Sequence, residues 1–367
     1  RLAATYRALI EGLKAMSPAG ADSHIALLTP GPYNETYFEH AYLARYLGLT
    51  LVEGSDLTVR DQRVYLKTLR GLEPVHGLLK RLDDEFLDPL ELRPDSTLGV
   101  PGLLQAIRAG NVLVANAPGS AFLESSALLG FLPALSRHLL GEDLQLPALP
   151  TWWCGERASL EAVLPQLDKC VIKPTYPGSA SHGSFEAALG RSMSRRELDE
   201  WAGRILREGE IHTTQTWLPL SQMPTWEPRT GGDRIEPRSM MLRVFAVADG
   251  PQSWRVLPGG LARLASASEG IATMQRGGSS ADAWVLTDVE KGQTVDRTTL
   301  LAPHQTPAAV VQRKRLVTSR AAENLFWMGR YTERAENSIR LARIAINRLN
   351  GEDAAAPALL AWLGDMA

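Results

Sequence analysis

Lys173 is the residue best placed by its neighbours to do chemistry. It ends an apolar run, "KCVIKPT", and a turn holding Gly178, Ser179, Ser181, Gly183 and Ser184 follows. Glycines let backbone N–H groups approach phosphate oxygens, and a lysine adds a point charge. The same pattern also serves a loop that only reverses direction, and the residues alone leave both readings open. A second candidate is "RLDDEFLDPLELRPDS", which gathers Asp83, Asp84, Glu85, Asp88, Glu91 and Asp95 beside Arg81 and Arg93. Clustered carboxylates can hold Mg²⁺ or a cationic substrate. Composition favours the plainer reading, a solvated acidic turn with local arginine pairs.

Arg238, Arg243 and Arg263 form a third set. Arg243 and Arg263 stand inside apolar runs, where an unpaired guanidinium is costly, so each calls for an anionic partner. A structural carboxylate and a ligand phosphate or carboxylate fit equally well. Glycine pairs in "PGGLARLA" and "QRGGSSADAWVL" either shape hairpins or admit a nucleotide. The two cysteines, Cys154 and Cys170, are too few for a disulfide framework and read as buried, inert thiols in a reducing cytoplasm. The histidines are scattered, with no zinc-ligand spacing.

These residues need elements to hold them. "HIALLTP", "NETYFEHAYLARYLG" and "LTLVEG" read as strand, helix and strand, a βαβ unit with a parallel pair. "LTVRDQRVYLKTLRG" reads as a hairpin turning near Asp61 and Gln62, and "NVLVANAPG" as a buried strand. "SRRELDEWAGRILREG" is an amphipathic helix with a capping box from Ser194 to Glu197. The runs "HTTQTWLPLS", "MMLRVFAVADG", "SWRVLPGGLARLAS" and "DAWVLTD" are mostly antiparallel strands. The polar stretch 288–312 carries Pro303 and Pro307 and reads as a linker. Ser319 to Leu349 is one helix with Leu325, Met328, Tyr331, Ala335 and Ile339 along a stripe. That stripe calls for cover by further helices.

A net charge of −2 gives no basic field for nucleic acid or anionic lipid, so Trp152, Trp153 and the run Arg313-Lys314-Arg315 read as packing and linker. No stretch approaches the ~20 apolar residues that cross a bilayer. The chain opens on Arg1 inside a helical pattern, as a piece of a longer protein would.

Seven phrases, among them "LLTPGPYNETYFEHAYLARYLGLTLVEGSDL", "AGNVLVANAPGS", "LPTWWCG" and "VIKPT", stand in the order seen in circularly permuted ATP-grasp proteins related to glutathionylspermidine synthetase. The resemblance runs from about Ala21 to Leu286. "SRAAENLFWMGRYTERAEN" resembles the opening helix of an alpha-E domain. The fold implied is α/β plus α+β: a parallel α/β pre-ATP-grasp-like part (1–150), an ATP-grasp nucleotide-binding part (151–287), a linker (288–318) and the start of an alpha-E domain (319–367).

The activity implied is ATP-dependent carboxylate–amine ligation of peptide or polyamine-conjugate type, with ATP and Mg²⁺. The alternative is a degenerate nucleotide-binding or scaffolding domain working with the alpha-E helices. Lys173 matches the family's nucleotide-strand lysine, and Gly178, Ser179, Ser181, Gly183 and Ser184 match its phosphate lid. Gln215, Trp217 and Leu218 match the adenine lining. Arg243 matches an arginine placed to meet phosphate or acyl-phosphate, and Arg263 is the other catalytic candidate. Asn34, Glu39, Asp83 and Asp84 match substrate-side motifs. Implied partners are small carboxylate and amine substrates, the remaining alpha-E helices and an upstream segment, with no nucleic acid and no membrane. Ser126 and Ala281 stand where relatives carry lysines, and the Glu-x-Asn metal ligands of the family fall upstream of Arg1.

Overall fold

The computed structural model describes residues 2–177, 185–227, 234–265, 278–286, 317–349 and 357–366. The lid residues Gly178, Ser179, Ser181, Gly183 and Ser184 and most of the linker lie outside them. The chain divides into two compact units, Met16–Ala115 with Leu300–Ala367, and Arg1–Ala15 with Asn116–Thr299. Among the described residues no helix is long and apolar enough to cross a membrane.

After α1 (Leu2–Met16), the first of these units begins with β1 (Ile25–Leu28), α2 (Tyr37–Leu47) and β2 (Thr50–Val52). Gly48 ends α2 at φ 69°, a left-handed stop that glycine adopts without strain. A meander of β3 (Leu57–Arg60), β4 (Arg63–Thr68) and β5 (Gly71–Val75) follows. Asp61 and Gln62 both take positive φ, 49° and 58°, at its first turn, the geometry of a tight hairpin. Then come β6 (Gly77–Lys80), α3 (Leu103–Arg108) and β7 (Leu113–Ala115). The strands β2-β1-β6-β7 form a parallel sheet. Ala26, Leu27 and Leu28 of β1 are fully buried, as a strand covered on both faces requires.

The other unit holds α4 (Leu128–Leu140), β8 (Thr151–Trp153), α5 (Arg157–Val163), β9 (Cys170–Pro174), β10 (Ala188–Leu189), α6 (Arg195–Arg207) and β11 (His212–Thr216). The Ser194 amide donates to Glu197 Oε2 at 2.7 Å, so the capping box forms. The order β10-β9-β11-β8 is antiparallel. A second antiparallel sheet orders β12 (Gln222–Glu227), β13 (Arg234–Arg243), β16 (Gly259–Leu264) and β17 (Ser279–Trp284), and β14 (Ala246–Ala248) pairs with β15 (Trp254–Val256). Two runs expected as single strands are therefore split. Pro258 has no N–H for a ladder, which separates β15 from β16. Finally α7 (Ser319–Leu349) and α8 (Pro357–Met366) close the chain, with α7 over the expected range. Its stripe residues Leu325, Met328, Tyr331 and Ile339 are exposed.

Candidate functional site

Strand alternation gives the sheet β10-β9-β11-β8 two different faces. Cys170 and Ile172 of β9 and Cys154, just after β8, turn inward and pack with Val163 of α5 and Ile205 of α6. Burial pushes both thiols up to about 11, so they are inert at neutral pH. The other face carries Lys173, opposite Thr213, and Gln215, opposite both Val171 and Thr151.

On that face Lys173 donates from Nζ to Gln215 Oε1 at 2.6 Å. Gln215 Nε2 donates to Thr151 Oγ1 at 3.0 Å, and that hydroxyl donates to the Leu149 carbonyl at 2.9 Å. A lysine only donates, so the orientation of the amide is settled by its partner. Burial lowers the Lys173 pKa, with no charged neighbour contributing. The ammonium has lost water and, among the described residues, gained only a neutral amide.

Ser126 donates from Oγ to the Pro174 carbonyl at 2.7 Å, and its N–H donates to Thr175 O at 3.1 Å. Its hydroxyl ties down the end of the lysine strand. The adenine-lining expectation divides. Gln215 is buried against Lys173, Trp217 lies under the Arg191 guanidinium at 4.1 Å, and Leu218 is exposed.

Register in the second sheet separates the arginines. Arg263 faces Met241 and Arg243 faces Leu261, so these two share a sheet face, while Arg238 lies on the opposite one. The expectation that Arg243 is embedded is corrected. It is exposed at the last position of β13, where water solvates it. Arg263 is half-buried, and its Nε is buried with no hydrogen-bond partner among the described residues. Sequence reading missed His212, fully buried with Nδ1 donating to Glu208 O at 2.7 Å and its ring packed against the Phe185 and Trp201 rings.

The substrate-side expectations fall in the other unit, at the carboxyl ends of its parallel strands. Chain direction across the sheet reverses between β1 and β6, since β1 leads out to β2 and β6 leads out to β7. Such switch points are where open α/β sheets bind ligands. Asn34 and Glu39 follow β1, and Asp83 and Asp84 follow β6. Thr36 donates from N and Oγ1 to Asn34 Oδ1, at 2.9 and 2.6 Å. Its one hydroxyl proton is then spent, so the 3.1 Å contact with His40 is a donation from Nε2. Thr29 Oγ1 then donates to the bare Nδ1 at 3.0 Å and accepts from Gly31 N at 3.3 Å. Burial, then Arg81, lowers the His40 pKa against a smaller opposing effect of Glu39, which fits this neutral ring.

Asp84 pairs with Lys80 at 2.5 Å, whereas Asp83 and Glu39 are exposed. The most buried acid of the cluster is Asp88. Its carboxylate accepts from the amides of Leu90, Gly102 and Leu104, so it is structural. Among the described residues no group of three or more His, Cys, Asp or Glu side chains is placed to hold a metal ion.

The family model for circularly permuted ATP-grasp type 2 matches residues 1–265. That for Alpha-E, a predicted alpha-helical domain with a conserved ER motif, matches residues 317–367. An uncharacterised protein of Mycobacterium tuberculosis is 39% identical over 267 residues, 72% of this chain and 47% of its own length. One from Synechocystis is 36% identical over 280 residues, 76% of this chain and 56% of its own. A second M. tuberculosis protein is 34% identical over 352 residues, 94% of this chain and 38% of its own. The chain thus spans about half the length of the curated relatives it matches. Among solved structures, the ATP-grasp ligase PsnB complexed with a minimal precursor aligns at TM-score 0.37 and 16% identity, over 64% of this chain and 89% of that one.

Proposed function

Because the chain belongs to the circularly permuted ATP-grasp type 2 family, continued by an Alpha-E segment, we propose that it is the core of an ATP-dependent carboxylate–amine ligase acting on small-molecule or peptide substrates. The observation that carries this reading is Lys173, a half-buried ammonium whose partner among the described residues is a neutral amide. Desolvating a charge without a counter-charge is costly. A phosphate oxygen supplies the missing negative charge and leaves Gln215 as the group that aims Nζ.

ATP, when bound, activates a substrate carboxylate as an acyl-phosphate, which an amine converts to an amide with release of phosphate. The residues of this chain would do the positioning. Lys173 neutralises phosphate charge. Arg263, whose buried Nε has no hydrogen-bond partner among the described residues, and Arg243 on the same face are assigned to anionic oxygens. The segment holding Gly178, Ser179, Ser181, Gly183 and Ser184 is assigned as lid, with Trp217 and Leu218 at the base. Asn34, Glu39, Asp83 and Asp84 are assigned to the substrate side. Mg²⁺ is expected with the nucleotide, and no step is assigned to it, since the described residues gather no ligand set. The cytoplasm is the compartment we assign, in keeping with two free thiols.

The other reading, a degenerate nucleotide-binding or scaffolding domain, draws on Ser126, whose hydroxyl is committed to backbone. Calorimetry of Mg-ATP with the intact chain and with Lys173→Ala tests the site. The substitution is expected to weaken binding about ten- to hundredfold, the range for a hydrogen bond to a charged group. Unchanged affinity would remove Lys173 from the nucleotide site. ADP release stimulated by amines separates the ligase from the scaffold.

A further inference from the structure

A cavity of about 440 Å³ lies within the unit Met16–Ala115. It opens between the turn Gly54–Asp56, strands β3 and β4, and the stretch 96–101. Its size falls in the range of small-ligand sites, roughly 300–1,000 Å³. Leu57, Pro89 and Pro101 give it apolar walls, and Thr58 and Thr97 add hydroxyl groups.

Among the described residues Lys67 is the one charged residue that lines it. Thr58 stands across the ladder from Tyr65, two residues before Lys67, so Thr58 and Lys67 share a sheet face. Lys67 is half-buried, and among the described residues it has no acidic partner. One cation with no counter-charge matches one negative charge, and the proline and leucine walls match an apolar body.

The cavity walls are also closely packed. A Cβ at Gly54 would come within 2.2 Å of the Leu98 carbonyl, and one at Gly99 within 2.1 Å of the Phe86 carbonyl, so these backbones are in close contact. The segment entering α7 grips both flanks. Arg320 holds Asp56, the last residue of the turn, and Thr318 bridges Thr68, the neighbour of Lys67. A preformed site spares a ligand the cost of ordering it.

We propose that this cavity binds a small organic monocarboxylate, with Lys67 holding the carboxylate and the apolar walls holding the body. The test is amide NMR of the isotope-labelled intact chain titrated with 2-methylpropanoate, and in parallel with inorganic phosphate. Saturable shifts in the millimolar range are expected at Gly54, Ser55, Thr97 and Gly99 with the carboxylate. Lys67→Gln is expected to weaken them about tenfold or more, the scale of a lost charged hydrogen bond, and Lys67→Arg to keep them. Absence of saturation with the carboxylate, or equal affinity in Lys67→Gln, overturns the site. Saturation with phosphate and not with the carboxylate overturns the ligand class. No nucleotide enters the measurement, so its outcome is independent of the ligase proposal.

Discussion

Gln215 holds the Lys173 ammonium at 2.6 Å while its own amide nitrogen is held by Thr151 at 3.0 Å. The lysine is thus fixed by a group that cannot neutralise it. Burying a cation beside an amide keeps its full charge available to a ligand; burying it beside a carboxylate would not.

Gln215→Glu is expected to convert the pair into an internal salt bridge. The carboxylate would compete with phosphate for Lys173 and weaken nucleotide binding by about tenfold. It would also raise the stability of the ligand-free protein. Calorimetry and denaturant unfolding on the same variant read both effects. Tighter nucleotide binding would contradict the role given to Gln215.

Arg320 donates from Nε and Nη2 to the two oxygens of Asp56 at 2.9 and 2.8 Å, and Nη1 lies 2.9 Å from Glu53. The Asp56 side chain is 1% exposed and that of Arg320 35%. Arg320→Ala would leave a buried carboxylate without its cation. A loss of about 3 kcal/mol is expected, the low end for a broken buried pair because the guanidinium is partly solvated. Urea unfolding measures it, and adding Asp56→Asn should restore part of the loss.

Acidic residues of one cluster should behave oppositely. Asp88→Ala removes the acceptor for three amides, among them Gly102 and Leu104 at the start of α3, and is expected to cost about 1–3 kcal/mol. Asp83→Asn, on an exposed side chain, should stay within about 0.5 kcal/mol. Equal effects in urea unfolding would refute the division into structural and surface acids.

The pH dependence follows from His40. Burial and Arg81 lower its folded-state pKa below the ordinary 6.5. Above 6.5 neither state binds the proton, and the stability is fully present. As pH falls through 6.5 toward the folded value, the unfolded chain takes up a proton that the folded one refuses, so stability is lost. His76 and His212 are shifted the same way, chiefly by burial. The urea midpoint is expected to drop between about pH 7 and pH 5, and His40→Gln should make the drop shallower without removing it. A flat profile would contradict the neutral ring in the Thr29–His40–Thr36 chain.

Much of this was legible in short windows of sequence. The βαβ start, the turn at Asp61 and Gln62, the capping box at Ser194 and the length of α7 all follow from local periodicity and local hydrogen bonding. Others were not. The strand breaks at Val244 and Pro258 were hidden inside continuous apolar runs. The exposure of Arg243 was misjudged because an apolar run does not say where its strand ends. Asp88 resembled its acidic neighbours, and only the amides of residues distant in sequence set it apart.

The sequence by itself determined that Lys173 lies near the end of a strand, and that Asn34, Asp83 and Asp84 follow strands of a parallel sheet. Those facts depend on a few consecutive residues, whose alternation fixes strand and loop. Tertiary structure alone decided the partners. Lys173 meets Gln215 across 42 residues of chain, and Arg320 meets Asp56 across 264. Such contacts depend on how distant strands and helices come to pack against one another. Register is set by burial summed over whole faces, and no local window contains it.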